Sequence, residues 1–210
     1  MYFWFLICLS GITFSVPFNL FSVENLKLEQ KYGKKKGNKL GKILGIISGW
    51  GFFLFWIGLW ISPQPSFVLP FLDNQILLIP ILNYSIPFFN LIISLVLILS
   101  GAWFGIEGVK QTTLKVAETH RTEKIVSKDV YSIIRHPQYF GGILAHLGVT
   151  FLLSAGYSLL ITPIIVVLVY LISKKEEKEL IKEFGKKYKE YKNKVPMFLP
   201  RIHRKEKTKL

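Results

Sequence analysis

The chain has 210 residues, half of them hydrophobic, with a mean hydropathy of +0.38, 17 Phe and 5 Trp. That is too apolar for a soluble domain of this size, and a formal charge of +14 fits such a chain only if charge is segregated along it. One cysteine, Cys8, excludes an intramolecular disulfide framework and a cysteine-based zinc site, and histidines at 120, 136, 146 and 203 show no metal-ligand spacing.

A membrane span needs about 20 mostly apolar residues. The first expected span runs from Met1 to about Ser22 without a charge. It has no basic segment before its apolar run, so it reads as a retained helix and not a signal peptide. The second runs from about Leu40 to Ile61, the third from about Ile86 to Gly108, the fourth from about Tyr139 to Ser154, and the fifth from about Tyr157 to Ile172. Between Pro63 and Pro87 the chain is apolar but carries five prolines, which predicts an irregular or re-entrant cap. Every Lys and Arg falls in one of three segments, 23–42, 107–138 and 173–210. The connections 62–85 and 154–157 hold one charge, Asp73. The positive-inside rule then makes the three basic segments cytoplasmic, with the N-terminus outside and the C-terminus inside. The expected fold is therefore all-α and polytopic, with about five spans and a cytoplasmic C-terminal interfacial helix. Nucleic-acid binding is not expected, because the basic residues serve topology.

Small residues recur at Gly33, Gly37, Gly41, Gly45 and Gly49 and again at Gly101 and Gly105. This spacing lets membrane helices approach closely, within one chain or between copies, and packing within the chain is the favoured reading. In the tail, Leu180, Phe184, Tyr188 and Tyr191 form one helical stripe. They predict a helix that continues the fifth span and then lies at the interface with its tyrosines at headgroup depth.

The chemistry concentrates at Arg135-His136-Pro137-Gln138-Tyr139. Pro137 suits a first helical turn, so His136 stands just outside a helix N-terminus, a place that favours a carboxylate ligand. Gly141 and Gly142 leave room one turn further in. At the far end of the next span lie Glu176 and Glu177, which an antiparallel hairpin returns to His136. Imidazole and helix N-terminus on one wall, carboxylates on the other, suit a zwitterionic ligand. Taken singly, a His at an interface and two Glu in a Lys-rich helix are ordinary solvated groups; their meeting at one end of a hairpin is what gives them weight. His146 sits inside the fourth span, where an ionisable residue faces a cavity or a neighbouring helix.

The run Ile125-Val126-Ser127, then Tyr131-Ser132-Ile133-Ile134-Arg135-His136-Pro137-Gln138-Tyr139-Phe140-Gly141, with Glu176-Glu177, Phe184-Gly185 and Val195-Pro196 behind it, resembles the isoprenylcysteine carboxyl methyltransferase and phospholipid methyltransferase superfamily. The resemblance covers about residues 120–200. It divides the chain into N-terminal helices, 1–110, and a methyltransferase core, 111–210. It implies a membrane enzyme that uses S-adenosylmethionine and no metal, with a lipophilic methyl acceptor and membrane lipids as partners. Carried over by position, Lys124, Ile125, Val126 and Tyr131 would lie along the cofactor. His136, Pro137, Gln138 and Tyr139 would hold its amino-acid end and nucleoside, and Glu176 its ammonium. Arg135 and Glu177 would be catalytic or substrate-side groups, and Ile172 would face the acceptor. His146 is not a motif residue of the family; it either lines the path of the lipid substrate or hydrogen-bonds a neighbouring helix. Ile172 departs from the pattern, since carboxyl-methylating relatives usually have Arg there. Lys174 or Lys175 would have to substitute, or the acceptor is an amine.

Overall fold

The computed structural model describes residues 3–70, 75–79, 84–112 and 124–200. Asp73, His120 and His203 lie outside these residues. The element order is α1 (Phe3–Ser22), α2 (Asn25–Tyr32), α3 (Lys34–Ile61), β1 (Ile76–Ile79), β2 (Tyr84–Pro87), α4 (Phe88–Thr112), α5 (Val130–Ile133), α6 (Pro137–Leu152), α7 (Gly156–Phe184) and α8 (Lys186–Lys194).

Among the described residues four helices, α1, α3, α4 and α7, are long and apolar enough to cross a membrane. All five expected spans are helices, but α6 has 16 residues and is about 24 Å long, shorter than a hydrocarbon core of about 30 Å. It ends early because Leu153, Ser154 and Ala155 turn the chain back, with Ser154 at φ 47°. Beyond Ile172, eight of the last twelve residues of α7 are charged, so its apolar part ends there while the helix continues.

The proline-rich stretch holds a two-stranded antiparallel hairpin, Ile76 opposite Pro87 through Ile79 opposite Tyr84, where an irregular cap was expected. The cap is tied to the α6–α7 turn. Phe67 N–H donates to Ser154 O, Gly156 N–H donates to Pro65 O, and buried Asn90 donates to Ser154 Oγ at 3.0 Å.

Helix packing rests on missing side chains. A Cβ on Gly101 would stand 2.8 Å from Gly141 O, and one on Gly141 would stand 2.6 Å from Gly101 O, so α4 and α6 touch backbone to backbone. Likewise a Cβ on Gly37 would lie 2.5 Å from Leu28 O, which places α2 against the start of α3. At these points the glycine spacing serves packing within the chain. The apolar core joins Phe5 and Ile12 of α1, Leu59 of α3, and Ile161, Ile165 and Val169 of α7.

The tail is not one helix. Gly185, at φ 56°, ends α7 and starts α8, a conformation that favours glycine. The expected stripe is thereby bent. Tyr188 is buried, and it faces the protein instead of headgroups.

Candidate active site

The start of α6 is held by the tail. Arg135 N–H donates to Pro196 O and His136 N–H to Met197 O, at 2.9 and 3.2 Å, so 195–197 lies along 135–136 as a short pair of extended segments. Pro137 opens the helix, as its fixed φ and missing N–H permit, and the side chain of His136, at the N-cap, makes no capping hydrogen bond. The first N–H groups of an α-helix have no partner within the helix itself.

Beside this terminus is a cavity of about 110 Å³ lined by Thr112, Lys124, Ile125, Val126, Tyr131, Arg135, His136, Gln138, Tyr139, Glu176, Leu180, Tyr188 and Tyr191. Of the residues that the sequence singled out for a cofactor, only Pro137 is missing from this wall. The two glutamates part company. Glu176 faces the cavity, and its Oε2 is buried, 3.6 Å from His136 Nδ1, with no hydrogen-bond partner among the described residues. Glu177 is fully buried and turns away, accepting from Arg135 Nε at 2.7 Å, lying 3.2 Å from His136 Nε2 and 2.7 Å from Lys192 Nζ. Burial raises the Glu177 pKa, but His136, Lys192 and Arg135 outweigh it and hold the carboxyl at about 2. Arg135 also donates to Lys192 O at 3.0 Å and to Val195 O. Its guanidinium is thus engaged with the tail although the residue borders the cavity.

Burial pushes the Tyr131 phenol up to about 12, against hydrogen bonds to Thr112 and Gln138, so it stays neutral. Gln138 Nε2 donates to Tyr131 Oη at 3.2 Å and to Thr112 Oγ1 at 2.8 Å. The Tyr188 and Tyr191 phenols are likewise raised by burial. His136 stacks on Tyr139 with centroids 5.6 Å apart.

A second cavity, about 220 Å³ and almost wholly apolar, lies between α1, α3, α6 and α7. Ser15, Asn19, Ser48, Phe52, Phe53, Trp56, Val169 and Ile172 line it, and Gln138 and Tyr139 belong to both cavities. His146 lines neither. Its Nδ1 accepts from the indole N–H of Trp56 at 2.8 Å and of Trp60 at 3.1 Å, while Nε2 faces Ser158 O and Thr162 Oγ1 at 3.3 and 3.2 Å. That assigns the proton to Nε2 and makes His146 a tie between α3, α6 and α7.

Thr112, Leu180, Tyr188, Tyr191 and Lys192 were not expected at the site. The tyrosine stripe was visible in the sequence, but its direction depends on the break at Gly185. Thr112 gave no signal at all. Ser15, Asn19 and Ser48, polar residues within apolar spans, were a usable sign of the second cavity.

Residues 89–187 match the family described as phospholipid methyltransferase. Over that stretch the chain is similar to this family of methyltransferases. The match covers just under half of the sequence, including α4, α6, α7 and the whole Arg135–Tyr139 and Glu176–Glu177 constellation. A relative named methanethiol S-methyltransferase 2, from Bradyrhizobium diazoefficiens, is 37% identical over 82 residues, which is 38% of this chain and 30% of that protein. The chain thus spans under a third of the length of the curated relative it matches. No solved structure matches it.

Proposed function

We propose that the protein is an S-adenosylmethionine-dependent methyltransferase acting on a lipophilic acceptor at the cytoplasmic face of a membrane, with 111–210 as its catalytic core. The observation that carries this reading is the buried Glu176 Oε2, without a hydrogen-bond partner among the described residues, in a cavity whose opposite wall is an uncapped helix N-terminus. A carboxylate oxygen in that state is stabilised by a cation, and the helix terminus by an anion. An α-amino acid supplies both. Glu176 would hold the ammonium, with His136 beside it, while Gln138 and the first N–H groups of α6 would hold the carboxylate. Ile125, Val126 and Tyr131 would flank the nucleoside, and Lys124 would close the rim.

When bound, the cofactor supplies an electrophilic methyl on a sulfonium. The protein's part is alignment and exclusion of water, which Tyr139 and Gln138 serve at the junction of the two cavities. Arg135 and Glu177 act as a pair that fixes the His136 loop to the tail. The acceptor has three readings: a prenylated cysteine carboxylate, from the sequence resemblance; an amine lipid, from the matched family; and a thiol, from the name of the relative.

Titration calorimetry with S-adenosylhomocysteine tests the cofactor assignment. Glu176→Gln removes a charge-assisted partner contributing about 1.5–3 kcal/mol, so affinity should fall about tenfold to a hundredfold. Unchanged affinity in a folded variant would refute the reading.

A further inference from the structure

We propose that Lys192 is a positioning residue for the polar cavity: through the Glu177 carboxylate it keeps the His136 ring neutral, with the proton on Nε2 and a bare Nδ1 turned towards Glu176. This rests on the reading of that cavity as the place where Glu176 and His136 receive the ammonium of the methyl donor. Lys192 lies on α8, beyond the stretch 89–187 that matches the methyltransferase family.

His136 stands between two carboxylates. Its Nε2 is 3.2 Å from Glu177 Oε1 and its Nδ1 is 3.6 Å from Glu176 Oε2. Against the penalty of burial, its neighbours keep Glu177 an anion at neutral pH. An ionised carboxylate only accepts, so Nε2–H donates to Glu177. The charge of the ring then depends on whether Nδ1 carries a second proton. With that proton the ring is a cation beside Glu176, in the place that a ligand's ammonium would take. Without it Nδ1 is an acceptor next to a carboxylate, and the two together fit an ammonium, which has three N–H donors and accepts nothing.

The charge on Glu177 decides between these states. Oε1 is shared by Arg135 Nε, at 2.7 Å, and His136 Nε2, while Lys192 Nζ lies 2.7 Å from Oε2. With Arg135 and Lys192 in place, the carboxylate has two permanent cations and requires no third from the imidazole. Without Lys192 it is less compensated, and an uncompensated anion at this distance favours the charged form of its neighbour. Glu177 is fully buried, so salt screens this effect only weakly. The other charged groups lining the cavity are Glu176 and Lys124, and its phenols, Tyr131, Tyr139, Tyr188 and Tyr191, are uncharged at neutral pH. The Lys192 side chain is 38% exposed, so exchanging it removes a charge without opening a cavity. Arg135 meets residue 192 through its backbone carbonyl, which a side-chain change leaves in place.

The test uses the full chain in lipid nanodiscs, with S-adenosylhomocysteine titrated into wild type, Lys192→Met and Lys192→Arg at pH 7 and pH 8.5. Lys192→Met should bind about three- to tenfold more weakly than wild type at pH 7, and the gap should close to within about twofold at pH 8.5, where the second proton leaves. Titration of the ligand's own amine is common to all three proteins and cancels in the ratio. Lys192→Arg should match wild type at both values. In 15N spectra of histidine-labelled protein at pH 7, the signals missing from His136→Gln should show two unlike ring nitrogens in wild type and two alike in Lys192→Met. If the Met variant does not fold, Lys192→Gln takes its place. A loss of affinity equal at both pH values, unchanged affinity at pH 7, or an imidazolium at His136 in wild type overturns the proposal. A wild type that binds no S-adenosylhomocysteine would instead sink the donor-site reading, with the histidine spectra still deciding whether Lys192 sets the charge of His136.

Discussion

Glu177 has no exposed surface, yet its neighbours stabilise it as an anion, with Arg135 and His136 at one oxygen and Lys192 at the other. Because its folded pKa, about 2, lies below the ordinary carboxylate range, its stabilising contribution is full above about pH 4.5 and is lost as pH falls towards 2. Breaking such a buried network leaves Arg135 uncompensated, so Glu177→Gln should cost on the order of 3 kcal/mol. Thermal unfolding of the wild type followed from pH 6 to pH 2 should show a steep acid loss, and the variant a flatter one from a lower start. Equal slopes would mean that the network does not stabilise the fold. One helix position separates Glu177 from Glu176, and that turn of about 100° decides which carboxylate meets a ligand. The sequence made the pair visible. Which member faces the cavity was not, because that depends on where Lys192 and Val195 arrive after the bend at Gly185.

At the scale of elements, the site depends on how closely α4 approaches α6. Gly101 and Gly141 let the backbones touch, and Gly108 leaves room for the Gln138 side chain, whose Cγ would lie 2.7 Å from an added Cβ. Gly141→Leu must push the helices apart and with them Thr112 and Gln138, so it should abolish S-adenosylhomocysteine binding and reduce folded yield. A variant that binds normally would refute this seam. The His146 tie is separable from the site. His146→Ala leaves two indole N–H groups buried without their acceptor, at about 1–3 kcal/mol each. Thermal stability should drop while S-adenosylhomocysteine affinity stays within about twofold; a large loss of affinity would place His146 in the site after all. The glycine repeats and the hairpin that returns Glu176 to His136 were legible because both depend on residues close in sequence. The burial of Tyr188 was not, since it depends on where the bend at Gly185 sends the tail.

For the whole molecule, the charge pattern and the helices have to agree on one orientation. All but Tyr139 of the residues facing the polar cavity come from the basic segments 107–138 and 173–210, whereas the β hairpin and the α6–α7 turn lie at the opposite ends of their helices. With α6 too short to span a slab alone, the turn at Leu153–Ala155 is covered by Pro65, Ser66 and Phe67, which satisfy its backbone where lipid could not. If α6 is one of five passes, that cover would let a 16-residue helix serve, with its first turn near the water on the basic side. Five passes then require Lys36 and Gln75 to face opposite compartments. In a Cys8→Ala background, cysteines placed at these two exposed positions should react with a membrane-impermeant maleimide from opposite sides of sealed vesicles, Lys36→Cys from the cytoplasmic side. Reaction of both from one side would mean that α3 does not cross, and the five-pass reading would fail with it.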